Sequence, residues 1–454
     1  MKGTIMSKTI HGAPQHETPD ASKPDSKPDS KPDSKPDSKP GSNPDAKPLL
    51  DRSDVRVKHA SGVGESVSAF VDRVRSGDLG SLPVIAGLVI IWTVFTSLNP
   101  VFLSADNLVN MLFDCSTVGV ISLGIVCVLL LGQIDLSVGS MSGFASALVG
   151  TLWVNDGWPV LLAVAAAIAV GAVIGALYAL LLNWIGMPSF VSTLAGLLAI
   201  LGMQLYVLGS TGSINLPYGS AMVNFGQLMV IPPVVSHVIA LLPGIVLLLL
   251  GMRTRARRHA ARLSAPSVAG LLGRAAALTV FLEIVVAYLN RGRGVPLMFG
   301  LFLGLAVVMQ YALTRTRWGR SMHAVGGNHE AARRAGIKVG AIYTSAFVLC
   351  ASLAAIGGVL TAARLASASQ QAGTGDVNLN AIAAAVIGGT SLFGGRGSAW
   401  SAVLGIIVIQ SIASGLTLLN LSSSLRFMIT GAVLAIAVIV DSLARQSRVS
   451  HGRA

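Results

Sequence analysis

Ala324–Val339 reads AVGGNHEAARRAGIKV and lies between two long apolar runs, Pro296–Leu313 and Ile342–Ala363. Gly326-Gly327-Asn328 is a turn signal. His329 to Ala335 favours a short helix, and Gly336 stops it. A short, exposed, basic helix contributes little to the packing of the apolar segments around it. Two readings stand: a capped surface turn in an ordinary loop, or a helix shaped to fit a groove in a soluble partner.

The flanking runs set the fold class. Of the 454 residues, 52% are hydrophobic, 12% are charged and 50 are glycine, against about 25% charged in a soluble domain. Runs of ~20 apolar residues recur, and in lipid such runs are helices because their backbone groups must pair internally. The runs are Leu82–Leu98, Val109–Leu131, Ser137–Val154, Pro159–Leu182, Phe190–Leu208, Val234–Met252, Ala275–Leu289, Pro296–Leu313, Ile342–Ala363, Ala381–Phe393, Ala399–Leu418 and Leu425–Val440. The expected fold is an all-α polytopic membrane protein of about twelve spans, ten being the lower count. The runs at 137–154 and 381–393 are expected to be re-entrant or broken.

The net charge of +13 invites a nucleic-acid reading, but the arginines lie in loops between apolar runs, as the positive-inside rule requires. Arg253–Arg262 holds five arginines, Arg315–Lys338 holds five arginines and one lysine, and Arg445, Arg448 and Arg453 follow Asp441. One shared cytoplasmic face for all three needs an even number of spans between them; the runs supply two and then four, with six before the first. Both termini are therefore expected in the cytoplasm, with Arg291 and Arg293 a small exception.

The ends read differently. Residues 1–50 are a low-complexity tail in which SKPD repeats from Ser22 to Asp37; proline at every fourth position blocks regular structure. No apolar core follows the first basic residues, so no signal peptide is expected. Residues 51–81 form a juxtamembrane segment in which Val63, Val67, Phe70, Val71 and Val74 fall at helical spacing. Residues 82–441 form the membrane domain, and 442–454 a basic tail. Cys115, Cys127 and Cys350 lie within apolar runs and give no disulfide or metal spacing.

Chemistry-bearing motifs are few. No G-x-x-x-x-G-K-[ST] phosphate loop occurs, and no hydrolytic triad or metal spacing survives inspection. The glycine-dense run Gly388–Gly397 lacks the Lys-Ser/Thr of a phosphate cradle, so close helix packing with a tight turn is expected. Ionisable residues within membrane segments are costly and count as candidates. Asp135 is placed to N-cap a helix starting near Leu136. Asp114 is placed to bond a neighbouring helix, and Glu283 to pair with Arg364 or another base, or to face water.

Glu330-Ala331-Ala332, three residues and then Gly336 resembles the EAA-xxx-G loop of binding-protein-dependent ABC importer permeases. Three further stretches are similar to the ribose/xylose/arabinose sugar permease family: QIDLSVGS at Gln133–Ser140, AGTG through NAIAAAVIGGTSLFGGRGS at Ala372–Ser398, and GLTLLNLSSSLRFMITGAVLAIAVIVD at Gly415–Asp441. Together the resemblance covers roughly Leu82 to Asp441. It implies a type II ABC importer-like permease subunit, not an enzyme, in the bacterial inner membrane. Gly327, Asn328, His329, Glu330, Ala331, Ala332, Arg333, Arg334 and Gly336 would form the coupling helix that docks on an ATPase subunit. ATP and Mg would bind that partner, and this chain would hold no cofactor or metal. A periplasmic sugar-binding protein would deliver the substrate to a permease homodimer in membrane lipid, with no nucleic acid involved.

A neutral sugar calls for amides, hydroxyls and aromatic rings. Asp114, Asp135, Gln204, Gln310, Asn378, Asn380 and Gln410 are the candidates for the translocation path, with interhelical bonding as the competing role; Asn110 and Tyr206 join them. The added pair 234–252 and 275–289 is similar to the xylose-type branch, which points to a pentose, D-xylose, with ribose, arabinose or galactose as alternatives. An ion-coupled secondary transporter and a non-transporting scaffold are the other classes weighed.

Overall fold

The computed structural model describes residues 82–422 and, beyond them, 424–425, 427–432, 435 and 439. The tail 1–50, the segment 51–81, the basic tail 442–454 and much of the run Leu425–Val440 lie outside the described residues.

Every apolar run from Leu82 to Leu418 carries a helix. In chain order these are α1 (Leu82–Leu98), α2 (Ala105–Leu130), α3 (Val138–Gly150), α4 (Val160–Leu180) and α5 (Ser189–Leu208). A short α6 (Ala221–Gln227) precedes α7 (Pro233–Ala260), α8 (Val268–Leu289) and α9 (Leu297–Arg315). Then come α10 (Arg317–Gly327), α11 (His329–Arg334), α12 (Val339–Leu365), α13 (Val377–Ile387) and α14 (Ala399–Leu418). Eight of these, among the described residues, are long and apolar enough to cross a membrane. The two runs expected to be short are short. At about 1.5 Å per residue, α3 with its 13 residues and α13 with its 11 fall short of a hydrocarbon core of about 30 Å; a π-helical turn over Thr151–Asn155 extends α3.

The core lies along α2 and α12, which pack on each other and on α3, α4 and α14. The apolar windows of α2 and α12 are 89% and 72% buried, so they need no polar face. Close approach comes from small residues. Ala163, Ala167, Gly171 and Gly175 recur every fourth position on α4 and are its buried stripe. A Cβ on Gly171 would stand 2.8 Å from the Ala351 carbonyl oxygen of α12, so only glycine admits this packing.

Contacts between segment ends fix the alternation. On the face that carries α10 and α11, called the hairpin face here, Gly395 N–H donates to Leu130 O at 2.9 Å. There also Asn183 Nδ2 donates to Gly340 O at 3.1 Å and Ala399 N–H to Gln310 Oε1 at 3.0 Å. On the far face, β1 (Ser213–Asn215) pairs antiparallel with β2 (Ser367–Ser369), Ile214 opposite Ala368. Asn99 Nδ2 donates to Leu418 O there, and Ile231 N–H to Val295 O. The eleven apolar runs from α1 to α14 therefore cross in strict alternation, the two broken ones included.

Three expectations need correction. The basic stretch Arg253–Arg262 is not a loop: α7 continues to Ala260, because arginine and alanine are good helix formers and no glycine or proline intervenes. Helix α8 begins at Val268, ahead of Ala275, where Ser267 Oγ caps it by accepting from Gly270 N–H at 3.1 Å. Gly326 and Gly327 close α10 as its last residues and form no free turn.

Candidate functional site

The hairpin of α10 and α11 matches its sequence closely. Thr316 Oγ1 caps α10 through Gly319 N–H at 3.2 Å, and Trp318 Nε1 ties it to Ser345 Oγ of α12 at 2.8 Å. Asn328 Oδ1 accepts from Ala331 N–H at 2.9 Å and caps α11. Gly336, at φ +82°, ends it: Gly336 N–H reaches Arg333 O and Ile337 N–H reaches Ala332 O, the Schellman pairing. Glu330 stands in the first turn, Arg333 and Arg334 in the last, each with its charge favoured by the helix dipole. Ala332 alone of the six is buried. Glu330 lies 3.5 Å from His329 Nε2 and 3.4 Å from Arg333 Nη1, all three more than half exposed. The helix is a rigid, solvent-facing knob of mixed charge. Gly327 to Ala331 and Arg333 to Gly336 are open to a partner.

Behind the knob, three segments meet backbone to backbone. A Cβ on Gly326 would overlap the Leu130 carbonyl oxygen and stand 2.7 Å from Gly395 N. One on Gly394 (φ +84°) would stand 2.8 Å from Gly326 O and 2.9 Å from Gly132 N. The glycine-dense run is thus a tight turn wedged between the end of α2 and the end of α10; it closes on itself through Ser391 N–H to Arg396 O at 2.9 Å.

The chain between α12 and α13 passes from β2 into a series of turns, with Ala372 N–H donating to Ser369 O at 3.1 Å and Thr374 N–H to Gln371 O at 3.2 Å. Residues 368–373 run antiparallel along α3, seated in a groove of glycines. A Cβ on Gly143 would overlap Ala372 O, and one on Gly139 would stand 2.6 Å from both Gly373 O and Asn378 Oδ1. Non-helical backbone inside a membrane protein needs side-chain partners. Gln204 supplies them: its Nε2 donates to Ser369 O and Ala372 O, both at 3.0 Å. Asn378 Oδ1 accepts from Gly139 N–H, joining α13 to the start of α3. Asn380 Nδ2 donates to Asp376 Oδ2 at 2.8 Å, while its Oδ1 is buried without a partner.

The break before α3 is held in the same way. Leu136 N–H donates to Thr193 Oγ1 at 3.2 Å and Ile134 N–H to Ser189 Oγ at 3.4 Å. Asp135 is 1% exposed. It does not N-cap a helix from Leu136, because α3 starts at Val138. Its Oδ1 instead accepts from Ser137 N–H at 2.8 Å and Ser137 Oγ at 2.7 Å, an Asx turn ahead of the helix. Gln310 is engaged at the N-terminus of α14, and Gln410 lies half-buried on α14.

Asp114 bonds a neighbouring helix as expected, and Glu283 pairs with a base other than Arg364, one of the expected alternatives. Arg364 Nε donates to Asp114 Oδ1 at 2.8 Å, and Arg364 and Arg293 lie 5.0 and 5.8 Å from the Phe113 ring centroid. Arg293 also donates to Asn110 Oδ1. Glu283 Oε2 lies 2.6 Å from His237 Nδ1, while Arg364 has its carboxylate on α2. The structure therefore scatters the sequence candidates. Gln204, Asn378, Asn380 and Asp135 serve the two broken segments, Gln310 a helix start, Asp114 a far-face ion pair. Sequence reasoning missed Ser189 and Thr193, whose only signal is a pair of hydroxyls at i and i+4 opening α5. It also missed the glycines of α3, whose i, i+4 spacing was readable.

The family model described as branched-chain amino acid transport system / permease component matches residues 107–438. The chain is 33% identical over 374 residues to the xylose transport system permease protein XylH of Escherichia coli (strain K12), covering 82% of this chain and 94% of that one. It is 30% identical over 356 residues to the ribose import permease protein RbsC of the same strain, covering 78% and 91%. It is 30% identical over 387 residues to the probable ABC transporter permease protein YphD, also of that strain, covering 85% and 95%. No solved structure matches.

Proposed function

The chain belongs to the permease subunits of binding-protein-dependent ABC importers, in the ribose/xylose sugar branch, and on that premise we propose that it imports a pentose, D-xylose, through a homodimer in the bacterial inner membrane. The observation that carries the reading is α11: six residues, capped at both ends, set between α10 and α12, and exposed at all of them but Ala332. The hairpin face is the cytoplasmic one, since it carries the arginines of α7, α10 and α11. An ATPase subunit, holding ATP and Mg, would seat α11 in a groove, with Glu330, Arg333 and Arg334 as its charged contacts. A periplasmic sugar-binding protein would dock on the far face.

Xylose is favoured over ribose by the hairpin of α7 and α8, which stands apart from the core, and by the xylose permease among the relatives. The test is uptake of labelled xylose and ribose into proteoliposomes holding this chain, its ATPase and its binding protein. ATP-dependent xylose uptake, abolished by Glu330→Ala with Arg333→Ala while the complex still assembles, is the expected result. Uptake of ribose in place of xylose would overturn the substrate only. Uptake that ignores ATP and follows an ion gradient would overturn the coupling and make the chain a secondary transporter.

A further inference from the structure

Helices α7 and α8 stand outside the core. Their apolar windows are 17% and 11% buried, against 89% for α2. They pack on each other, Leu271 against Gly251 and Thr279 against Gly244. The rest of the chain holds them at the far face, where Tyr288 Oη donates to Leu103 O at 2.7 Å and Ile231 N–H to Val295 O at 2.8 Å.

Their other end is unlike it. Arg253, Arg255, Arg257 and Arg258 sit on the last turns of α7, Arg262 just beyond it, and Arg274 early in α8. From 233 to 289 the sole carboxylate is Glu283, and that residue pairs with His237 toward the opposite end. None of the six arginines pairs with a carboxylate of the described residues. Two helices, α8 and α9, separate this end from α10, so it lies on the hairpin face.

Geometry places these charges at a headgroup layer. The apolar part of α7 ends at Met252, and the helix continues without a break. At about 1.5 Å per residue, Arg253 to Arg258 span the first ~9 Å beyond the hydrocarbon edge. Leu249, Leu250 and Leu272 below them are exposed, so acyl chains can lie against the same helices that carry the guanidinium groups. A protein-binding face commonly mixes both signs, as α11 does; this one is of a single sign.

We propose that the arginine end of the α7–α8 hairpin is a binding site for anionic phospholipid. Arg253, Arg257 and Arg258 hold the headgroup phosphates of the hairpin-face leaflet, and the apolar flanks of α7 and α8 receive the chains. Guanidinium groups suit this ligand because each offers a planar fork of donors to a phosphate and never loses its charge. The proposal needs only the membrane location of the family and is independent of the sugar and of the ATPase.

The test uses the full chain in nanodiscs of mixed phosphatidylglycerol and phosphatidylcholine, with a spin-labelled form of each lipid as the probe. The expected result is enrichment of the phosphatidylglycerol label in the motionally restricted shell, removed by high salt. Each basic residue near an anionic surface contributes roughly a fivefold preference. The triple variant Arg253→Gln, Arg257→Gln, Arg258→Gln should therefore lower the enrichment at least about tenfold. The triple Arg→Lys variant, which keeps the charges, should retain most of it and controls for misfolding. Equal partition of the two lipids, or enrichment that survives the Gln variant, would overturn the proposal. Unchanged enrichment with loss of ATPase subunit binding would make this end a protein contact. Displacement of the lipid label by inorganic phosphate at matched ionic strength would make it a free-phosphate site.

Discussion

Replacing Gln204 by leucine tests whether that amide lines a water-filled path or holds backbone. Gln204 is fully buried, and its Nε2 is the side-chain donor to Ser369 O and Ala372 O, each at 3.0 Å. Leucine keeps much of the volume and removes both bonds. A buried acceptor left unpaired costs about 1–3 kcal/mol; Ala372 O is left so, whereas Ser369 O keeps the bond from Ala372 N–H. Hydrogen bonds inside membrane proteins have measured nearer 0.6–2 kcal/mol, because the denatured chain also finds partners. The expected loss is therefore about 1–2 kcal/mol. It is read by unfolding in denaturing detergent, followed by tryptophan fluorescence. Tyr206→Leu, on the same helix but 88% exposed, is the control and should stay within about 0.5 kcal/mol. A loss of under about 0.5 kcal/mol for Gln204→Leu would refute the reasoning. It would mean that water reaches the carbonyls of 369–372, and that this segment borders the path.

Two further outcomes follow from the same geometry. Gly326→Ala places a methyl group into the Leu130 carbonyl and should cost about 1–3 kcal/mol, whereas Gly327→Ala meets open space and should be neutral by melting temperature. A double-mutant cycle on Asp114→Asn and Arg364→Gln should give a coupling of about 1–2 kcal/mol, below the value for a buried charged bond, because the Asp114 side chain is 47% exposed.

Much of this was legible in the sequence, for definite reasons. A run of ~20 apolar residues has one solution in lipid, so the eleven helices on apolar runs followed from hydropathy, whereas α6 and α10, which lie on none, did not. The cap and stop of α11 followed because Asn328 and Gly336 act on their own neighbours. What was not legible is non-local. Arg364 meets Asp114 across 250 positions, and nothing local marks that acid over the others of the membrane domain. Three-residue strands such as β1 and β2 leave no alternation to read. Gln204 and Asn378 carry the residue types of a sugar site and of a backbone clamp alike; only the carbonyls of 369–372 and the N–H of Gly139 decide between them. The arginines of α7 looked like a loop because charge suggests solvent, yet a helix can continue into solvent without any change of composition.

The placement of these clamps bears on how a force on α11 would act under the proposed function. The hairpin of α10 and α11 is stiff: caps close both helices, and Trp318 fixes α10 to α12. At Gly326 it touches Leu130 and Gly394–Gly395 through main chain alone, so no flexible side chain lies between to absorb a displacement. Leu130 ends α2 just before the break at 131–137, and Gly394–Gly395 follow the far end of α13, whose start adjoins the break at 366–376. The first discontinuity is held by side-chain bonds from Thr193, Ser189 and Asn378, and the second, past its short pairing with β1, by Gln204, where a continuous ladder would otherwise run. Such bonds can be exchanged one at a time, while a helix yields only by breaking its ladder cooperatively. A shift of α11 therefore reaches, through one glycine junction, the two places in the bundle where the backbone can rearrange at least cost.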